Sequence, residues 1–232
     1  MNIETANTEE YRYERKFFIS KLTKYEVELL IRLHPAMFSE IYFPRFVNNL
    51  YFDSFNMKSY FDAVDGLWNR KKIRIRWYGD LFGDIEKPVL EIKIKNGLMN
   101  MKKSFPLKPF SIGKFFEFNS IVDLVKISDI PENLKLEMIS LEPALLNRYK
   151  RKYVQSSDGN YRITVDTKMV FYDINKHNNL FLNKKVDYSN TIVELKYNYG
   201  KDECAEHIVK YFPFRLTKNS KYVSGIDAIN WC

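Results

Sequence analysis

The sequence predicts an antiparallel α+β protein in which eight strands curl into a β-barrel with flanking helices. Three observations lead there. At least seven segments alternate apolar and polar residues with the period of two that marks a strand, whereas the 3.6-residue helical period is confined to three or four segments. The strands follow one another through hairpins or single helices, not in the strict strand–helix alternation of a doubly wound parallel sheet. The polar strand positions are filled chiefly by Arg, Lys and Glu, and an eight-stranded barrel is wide enough to enclose one small ligand.

Along the chain, "YRYERKFFI" (Tyr11–Ile19) is expected as a strand, and "SKLTKYEVELLIRLH" from Ser20 as a helix with a Ser or Thr cap. "RFVNNLYFDS" is expected as a strand, and "NMKSYFDAVDG" as a short helix closed by Gly66. "RKKIRIRWYG" and "PVLEIKIKNG" are strong strands, with Gly97 turning the chain into "MNMKKSFPL". Asp123 to Leu146 is expected to be mainly helical. Strands resume in "NRYKRKYVQ", "NYRITVDTKMVFYD" and "TIVELKYN", and helical segments follow from about Asp202 to Tyr211 and through "LTKNSKYVSGIDAI".

The chain of 232 residues suits one domain, taken as residues 11–232 behind a polar, flexible stretch 1–10. Lys and Arg outnumber Asp and Glu by 37 to 29, a net charge of +8, which favours an anionic partner without choosing among nucleic acid, phosphorylated metabolites and a membrane surface. Cys204 and Cys232 match neither a disulfide framework nor zinc-ligand spacing. With no signal peptide and no run approaching about 18 apolar residues, a cytoplasmic location is expected.

The charges fall in register. Arg74 and Arg76 share one face of their strand, while Ile73, Ile75 and Trp77 share the other. Glu91, Lys93 and Lys95 oppose Leu90, Ile92 and Ile94; Glu14 and Lys16 lie in line with Arg12; Glu194 pairs with Lys196; Arg162 with Asp166; Tyr149 with Arg151. For any single strand, a solvated sheet face explains this pattern better. Five strands repeating the same few long charged residues are harder to explain so. Like charges at 4 Å repel by about 4 kcal/mol at an effective dielectric near 20, so a protein that concentrates them calls for an anion. If the apolar faces pack outward against helices, the charged faces line a basic interior suited to phosphate oxygens. Glutamates among those cations suit a hard divalent ion, Mg²⁺ or Mn²⁺.

At these residues the chain resembles the polyphosphate polymerase domain of the vacuolar transporter chaperone (VTC) complex and its bacterial relatives. That domain belongs to the triphosphate tunnel metalloenzymes, which include the CYTH proteins. Nine pieces occur in family order from Tyr11 to Ile229: "RYERKF", "NNLYFDS", "KIRIRWYG", "LEIKIK", "KKSFPL", "RYKRKYV", "RITVDT", "VELKY" and "LTKNSKYVSG". The resemblance implies an antiparallel triphosphate tunnel and metal-dependent transfer of the ATP γ-phosphate onto a growing polyphosphate chain. It implies Lys16, Arg74, Arg76, Lys93 and Arg162 as phosphate ligands, joined by Tyr149, Arg151, Lys218, Ser220 and Lys221. Lys102 matches the basic residue before "FPL", with Lys103 as the alternative. Glu194 matches the metal-binding glutamate, and Glu14 is a secondary candidate because Arg12 stands where a first Glu of the CYTH signature Glu-x-Glu-x-Lys belongs. Arg74, Arg76, Lys93 and Glu194 are the implied catalytic set.

Two rivals stay open on sequence. A triphosphatase would use the same tunnel with water as acceptor. A non-catalytic module would bind polyphosphate or RNA, although Phe17, Phe46, Phe52 and Phe105 sit in strands where core packing is the commoner fate and no nucleic-acid partner is expected. No P-loop is present. His34, His177 and His207 lie in unrelated contexts and suit surface or packing positions. Metal preference, acceptor, oligomeric state and a membrane-protein partner stay open.

Overall fold

The structure, a computed structural model, describes residues 12–96, 99–113, 116–175, 177, 179–198 and 200–230. The expected looseness of residues 1–10 and the turn at Gly97 lie outside them. The order of elements is β1 (Arg12–Ile19), α1 (Lys24–Arg32), β2 (Ser39–Asp53), α2 (Lys58–Val64), β3 (Asn69–Tyr78), β4 (Gly83–Ile85), β5 (Val89–Asn96), β6 (Met99–Pro106), β7 (Phe110–Ile112), α3 (Asn119–Ile127), α4 (Glu132–Ile139), β8 (Glu142–Gln155), β9 (Arg162–Tyr172), β10 (Lys184–Asp187), β11 (Thr191–Asn198), α5 (Asp202–Lys210) and α6 (Lys221–Asn230). This is an antiparallel α+β protein.

One sheet carries the fold in the order β1-β11-β9-β8-β2-β3-β5-β6, with β10 added on β9; β4 and β7 form a separate pair. Its outer face is covered in two places. Ile73, Ile75, Trp77, Leu90 and Ile92 pack with Ile121, Leu124, Val125, Leu134 and Met138 of α3 and α4. Phe17, Ile163, Val165, Val193 and Leu195 pack with Val27 and Ile31 of α1 and Ala205 of α5. Helix α1 starts where Thr23 and Glu26 form a reciprocal capping box, and its Val27 and Ile31, one turn apart, reach that core.

The sheet is strongly curled. Laid flat, β1 and β5 would stand six strand spacings apart, roughly 29 Å, yet Lys93 Nζ of β5 lies 2.8 Å from Glu14 Oε2 of β1. Only a sheet rolled on itself brings those side chains together. The expected closed eight-stranded barrel is nevertheless corrected. Among the described residues β1 and β6 form no ladder, because another segment occupies the free edge of β1. Leu216 bridges Phe17, Thr217 N–H donates to Lys16 O (2.8 Å), and Phe18 N–H donates to Thr217 Oγ1 (2.9 Å). The same segment leads into α6, which packs Tyr222 and Ile226 on the inner face against Tyr51, Leu145, Tyr149 and Phe171.

Three further differences from the sequence expectations have physical causes. β8 begins at Glu142, so Leu141–Leu146 is mostly strand: pairing with β2, Tyr51 opposite Leu145 and Leu50 opposite Leu146, overrides a locally helix-favouring composition. β2 starts at Ser39, ahead of the expected Arg45, with register shifts on either side of Tyr42 near Pro44, which has no N–H to give the ladder. β4, β7 and β10 are too short to show a period.

Candidate functional site

The inner face is an ionic cluster. Alternation turns Glu14 and Lys16 of β1, Arg74 and Arg76 of β3, Glu91 and Lys93 of β5, Tyr149 and Arg151 of β8, and Glu194 and Lys196 of β11 away from the outer cores. On β6, Lys102 stands opposite Lys93 and Lys103 opposite Ile92, so Lys102 is the inward residue, with its Nζ 3.1 Å from Glu91 Oε1.

Around Glu91, Arg74 donates twice to Oε2 (2.9 and 2.7 Å), Arg76 lies 3.4 Å from the same oxygen, and Lys102 takes the other. Burial alone would raise the Glu91 carboxyl; Arg74, Arg76 and Lys102 hold it far below the usual carboxylate range. Arg74 also donates to Tyr51 OH (3.0 Å), and Arg76 to Asn49 Oδ1 (2.8 Å) and Tyr149 OH (3.2 Å). Asn49 in turn donates to Asn147 Oδ1 (2.8 Å), so a buried amide pair fixes one arginine. Burial pushes the Tyr149 phenol up, but Arg151, Arg76 and Lys221 together bring it below its ordinary value.

Opposite lies a second focus. Arg151 forms a bidentate pair with the fully buried Asp166 (2.6 and 2.6 Å), and Lys221, first residue of α6, lies 2.6 Å from Asp166 and 3.3 Å from Glu194. Glu194 also faces Lys196 (3.0 Å), Arg151 (3.5 Å) and Lys16 (3.6 Å). Burial opposes the charge on Glu194, yet these cations hold its carboxyl well below the usual range. Burial and Glu194 raise Glu14, while Lys16, Lys93 and Lys196 bring it below its ordinary value.

The remaining expected residues are more peripheral. Ser220 Oγ accepts from Lys72 Nζ (2.7 Å) and lies at the start of α6. Arg162 sits half-exposed beside Lys196 in register, and its side chain makes no hydrogen bond or ion pair with another described residue. Lys218 is exposed, close enough to Lys95 to help burial lower that lysine. Of the histidines, His34 is buried, its ring held between Ala36 N–H and Ile208 O; His177 and His207 are exposed.

Several residues of the cluster were not singled out from sequence. Glu91, Asp166 and Lys196 were visible as members of charged faces, but nothing local marked them as neutralising partners. Lys72 lies in the basic start of "RKKIRIRWYG" and carried no separate signal. Asn49, Asn147 and Tyr51 show only through contacts 23 to 98 residues away in sequence.

Glu14 and Glu194 share Lys16 (3.8 and 3.6 Å) and Lys196 (4.0 and 3.0 Å), so both carboxylates address one small space. No group of three or more His, Cys, Asp or Glu able to hold a metal occurs among the described residues. Two carboxylates fit Mg²⁺ or Mn²⁺, which take one or two from the protein and complete their shell with waters and phosphate oxygens. A cavity of about 350 Å³ has Phe18, Met169, Phe171, Ile192 and Ala228 among its apolar lining and Lys185, Asp187 and Ser224 among its polar lining, and of the cluster it takes in Lys221. Its wall is mainly apolar and sets Asp187 beside its two lysines, which suits a polyanion poorly.

A comparison with curated proteins returns no match. Among solved structures, a Vibrio parahaemolyticus protein provisionally described as an adenylate cyclase superposes with a TM-score of 0.53 at 10% identity, over 93% of this chain and 99% of that one. The PH1819 protein of Pyrococcus horikoshii superposes at 0.48 and 10% identity, over 92% and 95%. At such identity the first likeness concerns the fold alone. The family model for the VTC domain matches residues 11–230, the whole of the sheet and its helices. The chain is therefore a member of the VTC domain family.

Proposed function

We propose that the protein is a polyphosphate polymerase that transfers the γ-phosphate of ATP to a growing polyphosphate chain within the curled sheet. The observation that carries this reading is the convergence of Lys16, Arg74, Arg76, Lys93, Lys102, Arg151 and Lys221 on one lumen in a VTC domain. Phosphoryl transfer asks mainly for positioning and for stabilisation of charge on the transferring oxygens. Guanidinium and ammonium groups from separate strands supply both.

Each of these cations rests on a carboxylate. A triphosphate entering the lumen takes over the arginine and lysine donors from Glu91, Glu14 and Glu194, with Arg74 and Arg76 offering paired N–H groups to its oxygens. Tyr149, already accepting from Arg76, keeps that guanidinium in place. Lys221 and Arg151 hold Glu194 ionised and fixed. Glu194, with Glu14, would hold Mg²⁺ or Mn²⁺, which would supply charge neutralisation at the phosphate oxygens.

Incubation with ATP and Mn²⁺, resolved on a gel, tests the reading. Long polyphosphate with ADP release supports it; orthophosphate alone makes the protein a triphosphatase; binding without turnover makes it a binding module. In the same assay Glu194→Ala is expected to abolish turnover while nucleotide binding largely survives, and normal turnover in that variant would remove the metal role. Arg74→Ala and Arg76→Ala are expected to weaken both binding and turnover.

A further inference from the structure

Lys72 differs from the cations around it. It lies on the inner face of β3, two residues before Arg74, with Lys93 opposite in register on β5. Lys16, Arg74, Arg76, Lys93, Lys102, Arg151, Lys196 and Lys221 each have a carboxylate within 4.0 Å. Lys72 has none among the described residues; its partner is the uncharged Ser220 Oγ at 2.7 Å, with the Tyr222 ring 5.8 Å from its Nζ. The carboxylate on the neighbouring strand β2, Asp53, is already engaged by the N–H groups of Ser59 and Tyr60 and by Tyr222 OH. The charged groups that act most strongly on Lys72 are Lys16 on β1, Arg70 and Arg74 on its own strand and Lys93 on β5, all positive.

We propose that Lys72 is a further phosphate-contacting residue of the lumen, giving up Ser220 Oγ for a phosphate oxygen when the chain of phosphates binds. The proposal rests on the triphosphate-tunnel reading above. Ser220 opens α6, so the exchange reaches the helix that lines the inner face.

The electrostatics around Lys72 support this. Burial, reinforced by Lys16, Arg70, Lys93 and Arg74, lowers Lys72 from 10.5 to about 7. Above that pH the side chain is largely neutral until an anion arrives. A polyanion reverses the local field and raises the value again, so binding takes up a proton between about pH 7 and the ordinary lysine range, and affinity falls as pH rises through that window.

The test is calorimetric titration of the full chain with tripolyphosphate at pH 8.5, without metal, in two buffers of different ionisation enthalpy. The ligand's own protonation is common to every variant and cancels in the comparison. Wild type is expected to take up about one proton more than Lys72→Arg, whose guanidinium is charged throughout. Lys72→Arg is expected to retain binding, whereas Lys72→Met weakens it about tenfold or more at pH 6.5. Equal proton uptake by wild type and Lys72→Arg, with both binding, overturns the role of Lys72 and leaves the tunnel reading standing. So does wild-type affinity in Lys72→Met. Failure of wild type to bind tripolyphosphate overturns both. Should Lys72→Met not fold, Lys72→Arg carries the test alone.

Discussion

Glu91 shows what single residues do in this lumen. Its carboxylate binds Arg74, Arg76 and Lys102 at once, so it holds the cluster together and, on the proposed function, would compete with a phosphate for the same donors. Glu91→Gln separates the two effects. The fold is expected to lose about 2–3 kcal/mol, because buried cations lose their counter-charge, while tripolyphosphate binds more tightly. Denaturant unfolding beside calorimetric titration measures both, and weaker binding in the variant would show Glu91 to be an organiser rather than a competitor. Inward and outward positions of this kind were legible in the sequence, since a period of two assigns them once a strand is recognised. Their pairings were not. Lys72 meets Ser220 across 148 residues and Arg151 meets Glu194 across 43, and no local pattern encodes such distances.

Among the elements, α6 has the tightest fit. At Gly225 an added Cβ would fall within about 3 Å of Leu145 and Phe171, both buried on the inner face. Gly225→Ala gains about 1 kcal/mol of helix propensity, but overpacking costs about 1–3 kcal/mol, and Leu145, the nearer neighbour, is fully buried with no room to move, although Phe171 borders the apolar cavity. A net loss of stability is expected, seen as a lower Tm, together with weaker tripolyphosphate binding because Ser220 and Lys221 move with the helix. A raised Tm would mean that the inner face yields more readily than its packing implies. The helix itself was legible as a C-terminal apolar periodicity. Its place inside the sheet was not, because an amphipathic pattern says that one face is covered without saying by what.

At the scale of the whole molecule, the carboxyls of Glu91, Asp166 and Glu194 all lie below their ordinary values of 3.8 to 4.5. A lowered carboxyl stabilises the fold fully above its unfolded value and loses that contribution as pH falls towards the folded one. Thermal stability is therefore expected to decline once pH drops below about 4.5, and a Tm unchanged down to pH 3 would contradict the ion-pair distances. On the proposed function a ligand would act in the other direction: tripolyphosphate at 100 times its dissociation constant is expected to stabilise by about 2.7 kcal/mol, an effect that shrinks with added salt if the contacts are ionic. Comparable stabilisation by single-stranded RNA would favour the nucleic-acid rival.

The strip at Leu216–Thr217 has a bearing on how this protein can be shortened. Ending the chain after Arg215 would take away Lys221 and the inner helix, and it would also strip the hydrogen-bonding cover from Lys16 to Phe18. A bare strand border of that sort invites pairing with a second molecule. The trimmed protein should accordingly self-associate, and elution as a well-behaved monomer would mean that β1 is shielded by something other than the tail that follows α5.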